Sequence, residues 1–151
     1  MGNNDMPCPT ESAEQAAVMR WAQVMIYKWP CLKWMYHVPN EGQRSRITGG
    51  RMRLEGMKSG VADLCLPTAR GKYHGLYIEM KRQRGNTPTE EQLDFLQDVS
   101  AEGYAACWCR GQDAAIRVIT EYLEKGTLTY TPTRGNAGAF LAGEGTNLKG
   151  L

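Results

Sequence analysis

The chain has 151 residues, of which 42% are hydrophobic and 23% charged, and its formal net charge is +2 at pH 7. These values predict one globular domain with a core of its own and exclude a disordered or fibrous chain. The first thirty residues lack the apolar run of a signal peptide, and no run of about eighteen apolar residues could span a bilayer, so we expect a cytoplasmic protein with no membrane partner.

The first half of the chain predicts two helices and two strands. Apolar residues recur at helical spacing in residues 10–30, and Pro30 is expected to end this helix. Residues 34–40 (WMYHVPN) predict a short strand that runs into a turn, and residues 49–60 (GGRMRLEGMKSG) predict a short helix between glycines. Residues 61–67 (VADLCLP) predict a second strand, which ends at its proline.

The second half predicts two further strands and two further helices. Residues 75–81 (GLYIEMK) alternate in polarity as a strand does, and residues 104–109 (YAACWC) have the composition of a buried strand. A helix is predicted over residues 87–103 and a last one over residues 113–125. This order of elements predicts a mixed α/β (α+β) fold, with a central mixed sheet flanked by helices.

The helix predicted over residues 87–103 has the clearest end signals in the sequence. Thr87 and Glu90 have the spacing of a capping box, and Pro88 would then occupy the first helical position. Gly103 provides a stop. We therefore expect this helix to begin at Thr87.

The two ends of the chain differ from its middle. Residues 1–9 are polar and contain prolines, so we expect a flexible N-terminus. Residues 127–151 are rich in Gly and Thr with only scattered apolar residues. We interpret them as a tail or arm and not as a second domain.

Basic residues are concentrated in one part of the chain. Residues 44–84 contain ten basic and three acidic residues, whereas the rest of the chain contains eight basic and thirteen acidic ones. Such asymmetry is typical of a protein that binds phosphates through one face, because only the contacting surface must displace counterions. A solvated basic surface without a ligand is the alternative interpretation.

Three ionisable residues interrupt the two central strands. Asp63 lies inside an otherwise apolar strand, where a lone charge is costly, and Glu79 and Lys81 share one face of the next strand. If the loop at Gly71 pairs these strands, the three side chains converge at one edge of the sheet. The two carboxylates then form a hard-oxygen site for Mg²⁺ or Mn²⁺, with Lys81 beside the attacking water. Cross-strand ion pairs on a surface strand are the alternative.

Four segments carry a family resemblance in order along the chain: HVPNEGQR (37–44), GMKSGVADL (56–64), GLYIEMK (75–81) and TEEQ (89–92). They resemble the motifs of the VRR-Nuc (virus-type replication-repair nuclease) family of the PD-(D/E)xK nuclease superfamily, although Ala62 stands where that family usually has proline. The resemblance implies a restriction-endonuclease-like nuclease domain over residues 10–126. The resemblance also implies that the protein is located in the cytoplasm of a bacterium or of a virus-infected host cell.

The resemblance assigns roles to residues of the two central strands. Asp63 and Glu79 would be metal ligands together with the backbone carbonyl of Met80, and Lys81 would orient or activate water. The implied ion is Mg²⁺ or Mn²⁺. Gln92 is similar to a glutamine of the family and could contact water at the metal or Lys81.

The family also places a glutamate of the first helix at the metal, and this chain has two candidates, Glu11 and Glu14. At about 100° per residue, both lie near the inward face of the predicted helix. In the family, a glutamine usually follows the glutamate four residues later, as Gln15 follows Glu11. We therefore favour Glu11 as the ligand.

The sequence thus predicts a metal-dependent DNA endonuclease that hydrolyses phosphodiester bonds. Stand-alone members of the family look like resolvases of branched DNA, which implies four-way (Holliday) junctions as substrate and a homodimer as the working form. A restriction-type or nicking nuclease acting on duplex DNA and a non-catalytic nucleic-acid-binding module are the alternatives. Five basic residues are expected to flank the site and hold phosphates: Arg44, Arg46, Arg51, Arg53 and Lys58.

Overall fold

The structure is a computed structural model that describes residues 6–39, 46–128 and 137–140. In chain order its helices and strands are α1 (Glu11–Val24), β1 (Tyr36–His37), α2 (Arg46–Leu54), β2 (Leu64–Leu66), β3 (Leu76–Lys81), α3 (Glu90–Ala101), β4 (Ala105–Arg110), α4 (Gly111–Lys125) and β5 (Ala137–Phe140). Two 3₁₀ turns, Met25–Tyr27 and Pro30–Trp34, connect α1 to β1.

The strands of the described residues form one mixed five-stranded sheet in the order β1-β2-β3-β4-β5. Neighbouring strands are antiparallel except β3 and β4, which are parallel. Parallel neighbours need a crossover connection, and α3 supplies it. The mixed α/β fold predicted from the order of elements is therefore confirmed.

Helices cover both faces of the sheet. On one face, α1 and α4 pack against the apolar side of β3, where Leu76, Ile78 and Met80 are buried. On the other face, α3 inserts Leu96 against Trp108 of β4. Burial on both faces explains why β4 is apolar along nearly its whole length and does not alternate.

The first helix is shorter than the sequence pattern suggested. α1 ends at Val24, and the chain tightens into a 3₁₀ turn in which the Lys28 N–H donates to the Met25 carbonyl at 3.0 Å. The sequence predicts that Pro30 ends α1, and this prediction was wrong. In the structure Pro30 begins the second 3₁₀ turn. A proline fits there because the first N–H of a helical turn has no intrahelical partner.

The predicted cap of α3 was also wrong by two residues. The Thr89 hydroxyl accepts a hydrogen bond from the Gln92 N–H at 3.3 Å, and Gln92 Oε1 accepts one from the Thr89 N–H at 2.9 Å. This capping box replaces the one predicted from Thr87 and Glu90. The run T-P-T-E-E-Q satisfies the capping-box spacing twice, so spacing alone could not decide between the two threonines.

Within the described part of the chain, every helix is too short or too polar to cross a lipid bilayer.

Candidate metal centre

The register of β2 and β3 brings Asp63 beside Glu79. Leu64 pairs with Ile78 in the antiparallel ladder, so Asp63 and Glu79 are the next residues towards the edge. There the ladder ends, and Asp63 Oδ2 accepts a 2.7 Å hydrogen bond from the Met80 N–H. The convergence predicted from the two strand patterns is therefore present in the structure.

Glu79 is a buried carboxylate whose close cation among the described residues is Lys81. Its side chain is fully buried, and neither of its oxygens accepts a hydrogen bond from the described residues. Lys81 Nζ lies 3.1 Å from Glu79 Oε1, an ion-pair distance without the angles of a hydrogen bond. Burial, and then the nearby charge of Asp63, raise the pKa of Glu79 to about 8, and Lys81 only partly offsets this. A buried carboxyl group of this kind is suited to a cation.

Glu11 completes an acidic cluster with Asp63 and Glu79. One oxygen from each of the three carboxylates lies within 4.8 Å of the other two. Glu11 is the first residue of α1, which begins there because the Thr10 hydroxyl accepts a hydrogen bond from the Ala13 N–H at 3.1 Å. Three converging carboxylates are hard oxygen donors, which could hold a divalent cation such as Mg²⁺ or Mn²⁺.

Glu14, the other candidate from the first helix, does not join this cluster. Its side chain is buried, and Glu14 Oε2 accepts a 2.7 Å hydrogen bond from the Gln112 N–H in the first turn of α4. The carboxylate therefore acts as a cap for α4, whose own N-cap residue, Arg110, makes no side-chain capping bond. The geometry favours Glu11 over Glu14 at the cluster.

Lys81 lies between two of the three acids. Its Nζ is 3.1 Å from Glu79 Oε1 and 3.9 Å from Glu11 Oε2, and only 8% of the residue is exposed. Burial also raises the pKa of Glu11, while the positive charge of Lys81 lowers it. Among the described residues, the Lys81 ammonium therefore lies beside the acidic cluster.

Gly60, in the segment that leads to Asp63, permits a close approach by α3. Its φ of +81° lies in the region that favours glycine. A Cβ atom at this position would come within 2.9 Å of the Glu91 carbonyl oxygen. The glycine therefore lets the start of α3 pack against the chain just before the acidic cluster.

The structure gives Gln92 a capping role at α3. Its Oε1 atom accepts the Thr89 N–H, as described above. A contact with water at a metal or with Lys81 stays a prediction.

Most of the basic residues predicted to hold phosphates belong to α2 or the turn after it. Arg51, Arg53 and Lys58 are exposed, and Arg51 Nε pairs with Glu55 Oε1 at 3.0 Å. Arg46 begins α2, and Arg44 lies outside the described residues. Beside α2 runs a groove of about 410 Å³, lined by Val38, Pro39, Met52, Glu55, Gly56, Met57, Lys58 and Val61.

Two arginines that the sequence patterns did not single out hold the chain in front of α1. Arg82 Nε donates to the Pro9 carbonyl at 3.1 Å, and Arg82 Nη2 donates to the Cys8 carbonyl at 3.0 Å. Arg84 Nη2 donates to the Met6 carbonyl at 3.3 Å. The available sequence signals were the basic character of residues 44–84 and the position of Arg82 directly after Lys81.

Comparison with known proteins identifies the family. A family model for the VRR-NUC domain matches residues 9–113, more than two thirds of the chain. A solved structure, described as a VRR_NUC domain protein, is 29% identical in sequence with a TM-score of 0.68, and the match covers 83% of this chain and 100% of the other. None of the curated proteins matches this chain. The chain therefore belongs to the VRR-NUC domain family, a family of nucleases.

Proposed function

We propose that the protein is a Mg²⁺- or Mn²⁺-dependent DNA endonuclease that hydrolyses phosphodiester bonds in branched DNA. The observation that carries the proposal is the fully buried Glu79 carboxylate, which has only the Lys81 ammonium as a nearby donor among the described residues and lies in one cluster with Asp63 and Glu11. Placing several acids together out of water is costly unless a cation neutralises them. The nuclease family supports the same chemistry.

Four groups of this chain would hold the ion: the carboxylates of Asp63, Glu79 and Glu11 and the backbone carbonyl of Met80. The Met80 N–H already donates to Asp63, and the N–H and C=O of one strand residue face the same neighbouring strand. The Met80 carbonyl therefore faces the side on which Asp63 lies. When bound, a divalent ion supplies a Lewis acid for the phosphate and lowers the pKa of water.

Lys81 acts on the water and on the phosphate. Its ammonium can donate to a water molecule beside Glu79 and Glu11, which fixes the direction from which the water attacks phosphorus. The same positive charge opposes the negative charge that develops on the phosphate oxygens during attack. Because Lys81 is almost fully buried, bulk water screens this charge only weakly.

DNA would lie across the basic surface, by which we mean Arg51, Arg53 and Lys58. Arg46 and Arg44, of which Arg44 lies outside the described residues, stay predicted phosphate contacts. The exposed pair of Arg51 with Glu55 contributes little to stability and can be exchanged for a phosphate contact. Four-way junctions are the proposed substrate by resemblance to the stand-alone members of the family. The test is incubation of labelled four-way junctions, forks and linear duplex with Mg²⁺, with Mn²⁺ and with EDTA.

Preferential cutting of the junction with either metal is the expected result. Equal or faster cutting of linear duplex would instead identify a restriction-type or nicking nuclease. Binding without product under every metal condition would leave only a non-catalytic nucleic-acid-binding module.

We further propose a homodimer as the working form, because one site per chain cannot make the two incisions that resolve a junction. Exposed apolar side chains at the end of α1 and in the two 3₁₀ turns that follow support a protein interface: Val24, Tyr27 and Trp34. Light scattering should report about twice the 16.9 kDa chain mass. Mixing wild-type with Lys81→Ala subunits should yield nicked junctions. Paired cuts by a strict monomer would contradict the dimer.

A further inference from the structure

The three clustered carboxylates reach their positions in different ways. Glu79 belongs to β3 and Asp63 directly precedes β2, so the hydrogen-bonded register of these two strands sets the separation of the two acids. Glu11 instead comes from the first turn of α1, after the short segment Met6–Pro9. The packing of α1 against α4 sets the course of the helix, and this segment holds the chain at its start, next to Glu11.

Arg82 holds that segment through two successive carbonyl groups. Its Nε and Nη2 atoms donate to the carbonyls of Pro9 and Cys8, at 3.1 and 3.0 Å. These carbonyls belong to the second and third residues before Glu11. A guanidinium that donates two hydrogen bonds in one plane fixes both distance and orientation, which a single ammonium cannot do.

The strand that carries Glu79 and Lys81 leads directly to this clamp, by which we mean the two hydrogen bonds from Arg82 to the Pro9 and Cys8 carbonyls. Arg82 directly follows Lys81 at the end of β3. Its own carbonyl accepts a 3.3 Å hydrogen bond from Arg110 Nη1, which also donates to the Gly85 carbonyl at 3.1 Å. Arg110 ends β4, pairs with Lys81 in the sheet and packs its guanidinium 5.2 Å from the Trp108 ring centre. Arg82 is therefore held beside the ends of β3 and β4.

We propose that Arg82 is a positioning residue, which sets the Glu11 carboxylate against Asp63 and Glu79 by holding the Cys8 and Pro9 carbonyls. The inference rests on the proposed function of the acidic cluster as a metal site. It gives Arg82 a role different from that of the basic surface, because its donors point to backbone carbonyls of the chain. Groups that orient a metal ligand typically change metal affinity about 10–100-fold when they are removed.

The test measures Mn²⁺ affinity by calorimetric titration in the absence of DNA. We expect Arg82→Ala to weaken Mn²⁺ binding about tenfold. Arg82→Lys should recover little, since it keeps the charge but not the two-pronged donor. The double variant Glu11→Gln/Arg82→Ala should bind Mn²⁺ no more weakly than Glu11→Gln alone, because Arg82 acts through Glu11. Arg117→Ala, which removes an exposed arginine of α4, is the matched control and should bind as wild type does.

A second readout uses the metal-free protein. Hydrogen exchange in residues 6–14 should be faster in Arg82→Ala and Arg82→Lys than in wild type and in Arg117→Ala, because the clamp is released. Thermal unfolding verifies that each variant folds, and Arg82→Gln replaces Arg82→Ala, alone and in the double variant, if Arg82→Ala does not fold.

Three results would overturn the inference. The first is unchanged Mn²⁺ affinity in Arg82→Ala, and the second is independent effects of the Glu11 and Arg82 changes in the double variant. The third is full recovery of both affinity and exchange by Arg82→Lys, which would show that charge alone matters. Absence of Mn²⁺ binding by the wild-type protein would instead refute the proposed function itself, together with this inference.

Discussion

The Met80 N–H donates a 2.7 Å hydrogen bond to the Asp63 carboxylate, so the residue between Glu79 and Lys81 holds the acid that directly precedes the neighbouring strand β2. Met80 therefore acts on Asp63 through its backbone. The Met80 side chain is buried in the core, on the face of β3 opposite to that of Glu79 and Lys81. One residue thus connects the packing of the sheet to the orientation of Asp63.

Removal of any one of three groups should abolish most of the activity. We expect Asp63→Asn, Glu79→Gln and Lys81→Ala each to lower cleavage by about two orders of magnitude or more, since each removes a metal ligand or the group that acts on water. The measurement is single-turnover cleavage of a labelled junction, with folding checked by circular dichroism. Lys28→Ala, which breaks an exposed ion pair with Glu124, is the control. Cleavage within about threefold of wild type by any of the three variants would refute the site.

The two glutamates of α1 should separate into different defects. Glu11→Gln should weaken Mn²⁺ binding and slow cleavage while the free energy of unfolding changes little, because Glu11 is partly exposed. Glu14→Ala should lower the free energy of unfolding by about 1–2 kcal/mol, since it removes the acceptor from the Gln112 N–H at the start of α4. Urea unfolding and Mn²⁺ titration check the two effects. The reverse assignment of defects would show that Glu14 is the metal ligand.

The metal-free protein should lose stability as the pH rises through the titration of Glu79. The pKa of this carboxyl is raised from 4.5 to about 8, by burial first and then by the charge of Asp63. Between these values the folded state binds more protons than the unfolded state, so the stabilisation present below pH 4.5 is lost towards pH 8. A single group contributes a slope of at most about 1.4 kcal/mol per pH unit.

Glu79→Gln should flatten this pH dependence, and urea unfolding in EDTA across the same pH range measures it. Glu11 shifts in the same direction, so part of the slope should remain in the variant. Identical pH profiles for wild type and Glu79→Gln would contradict the raised pKa.

The salt dependence of DNA binding should identify the phosphate-binding face. Arg51→Ala/Arg53→Ala should weaken binding and reduce the slope of log K against log salt by about 2, since each phosphate contact contributes about 0.9. Arg20→Ala/Arg117→Ala removes the same charge from exposed positions of α1 and α4 and is the matched control. A slope that changes equally in both double variants would mean that only net charge matters.

Much of the sheet and part of the site could be predicted from the sequence. The alternation in β3 correctly predicted Leu76, Ile78 and Met80 as core residues, because side chains on one face of a strand must share one environment. The same reasoning brought Asp63 and Glu79 together, since two strands joined by a short loop pair with each other. Strand patterns therefore predicted that Asp63 and Glu79 lie side by side.

Contacts between distant segments could not be predicted in this way. Glu11 and Glu14 lie on nearly the same side of a helix, and only the packing of α1 against α4 separates them. Arg82 and Arg110 donate to backbone carbonyls, and a carbonyl group is present at every residue and carries no sequence signal. The N-cap of α3 was predicted at the wrong residue because Thr87 and Thr89 both match the capping-box spacing.

The most direct measurement of the central claim is the location of Mn²⁺ by anomalous X-ray scattering in crystals of the wild-type protein soaked with the ion. We predict one or two anomalous peaks bounded by the carboxylates of Asp63, Glu79 and Glu11, with ligand distances of about 2.0–2.2 Å. The peaks should be absent from Glu79→Gln crystals treated in the same way. A wild-type protein that cleaves DNA with Mn²⁺ but binds the ion elsewhere would contradict the account.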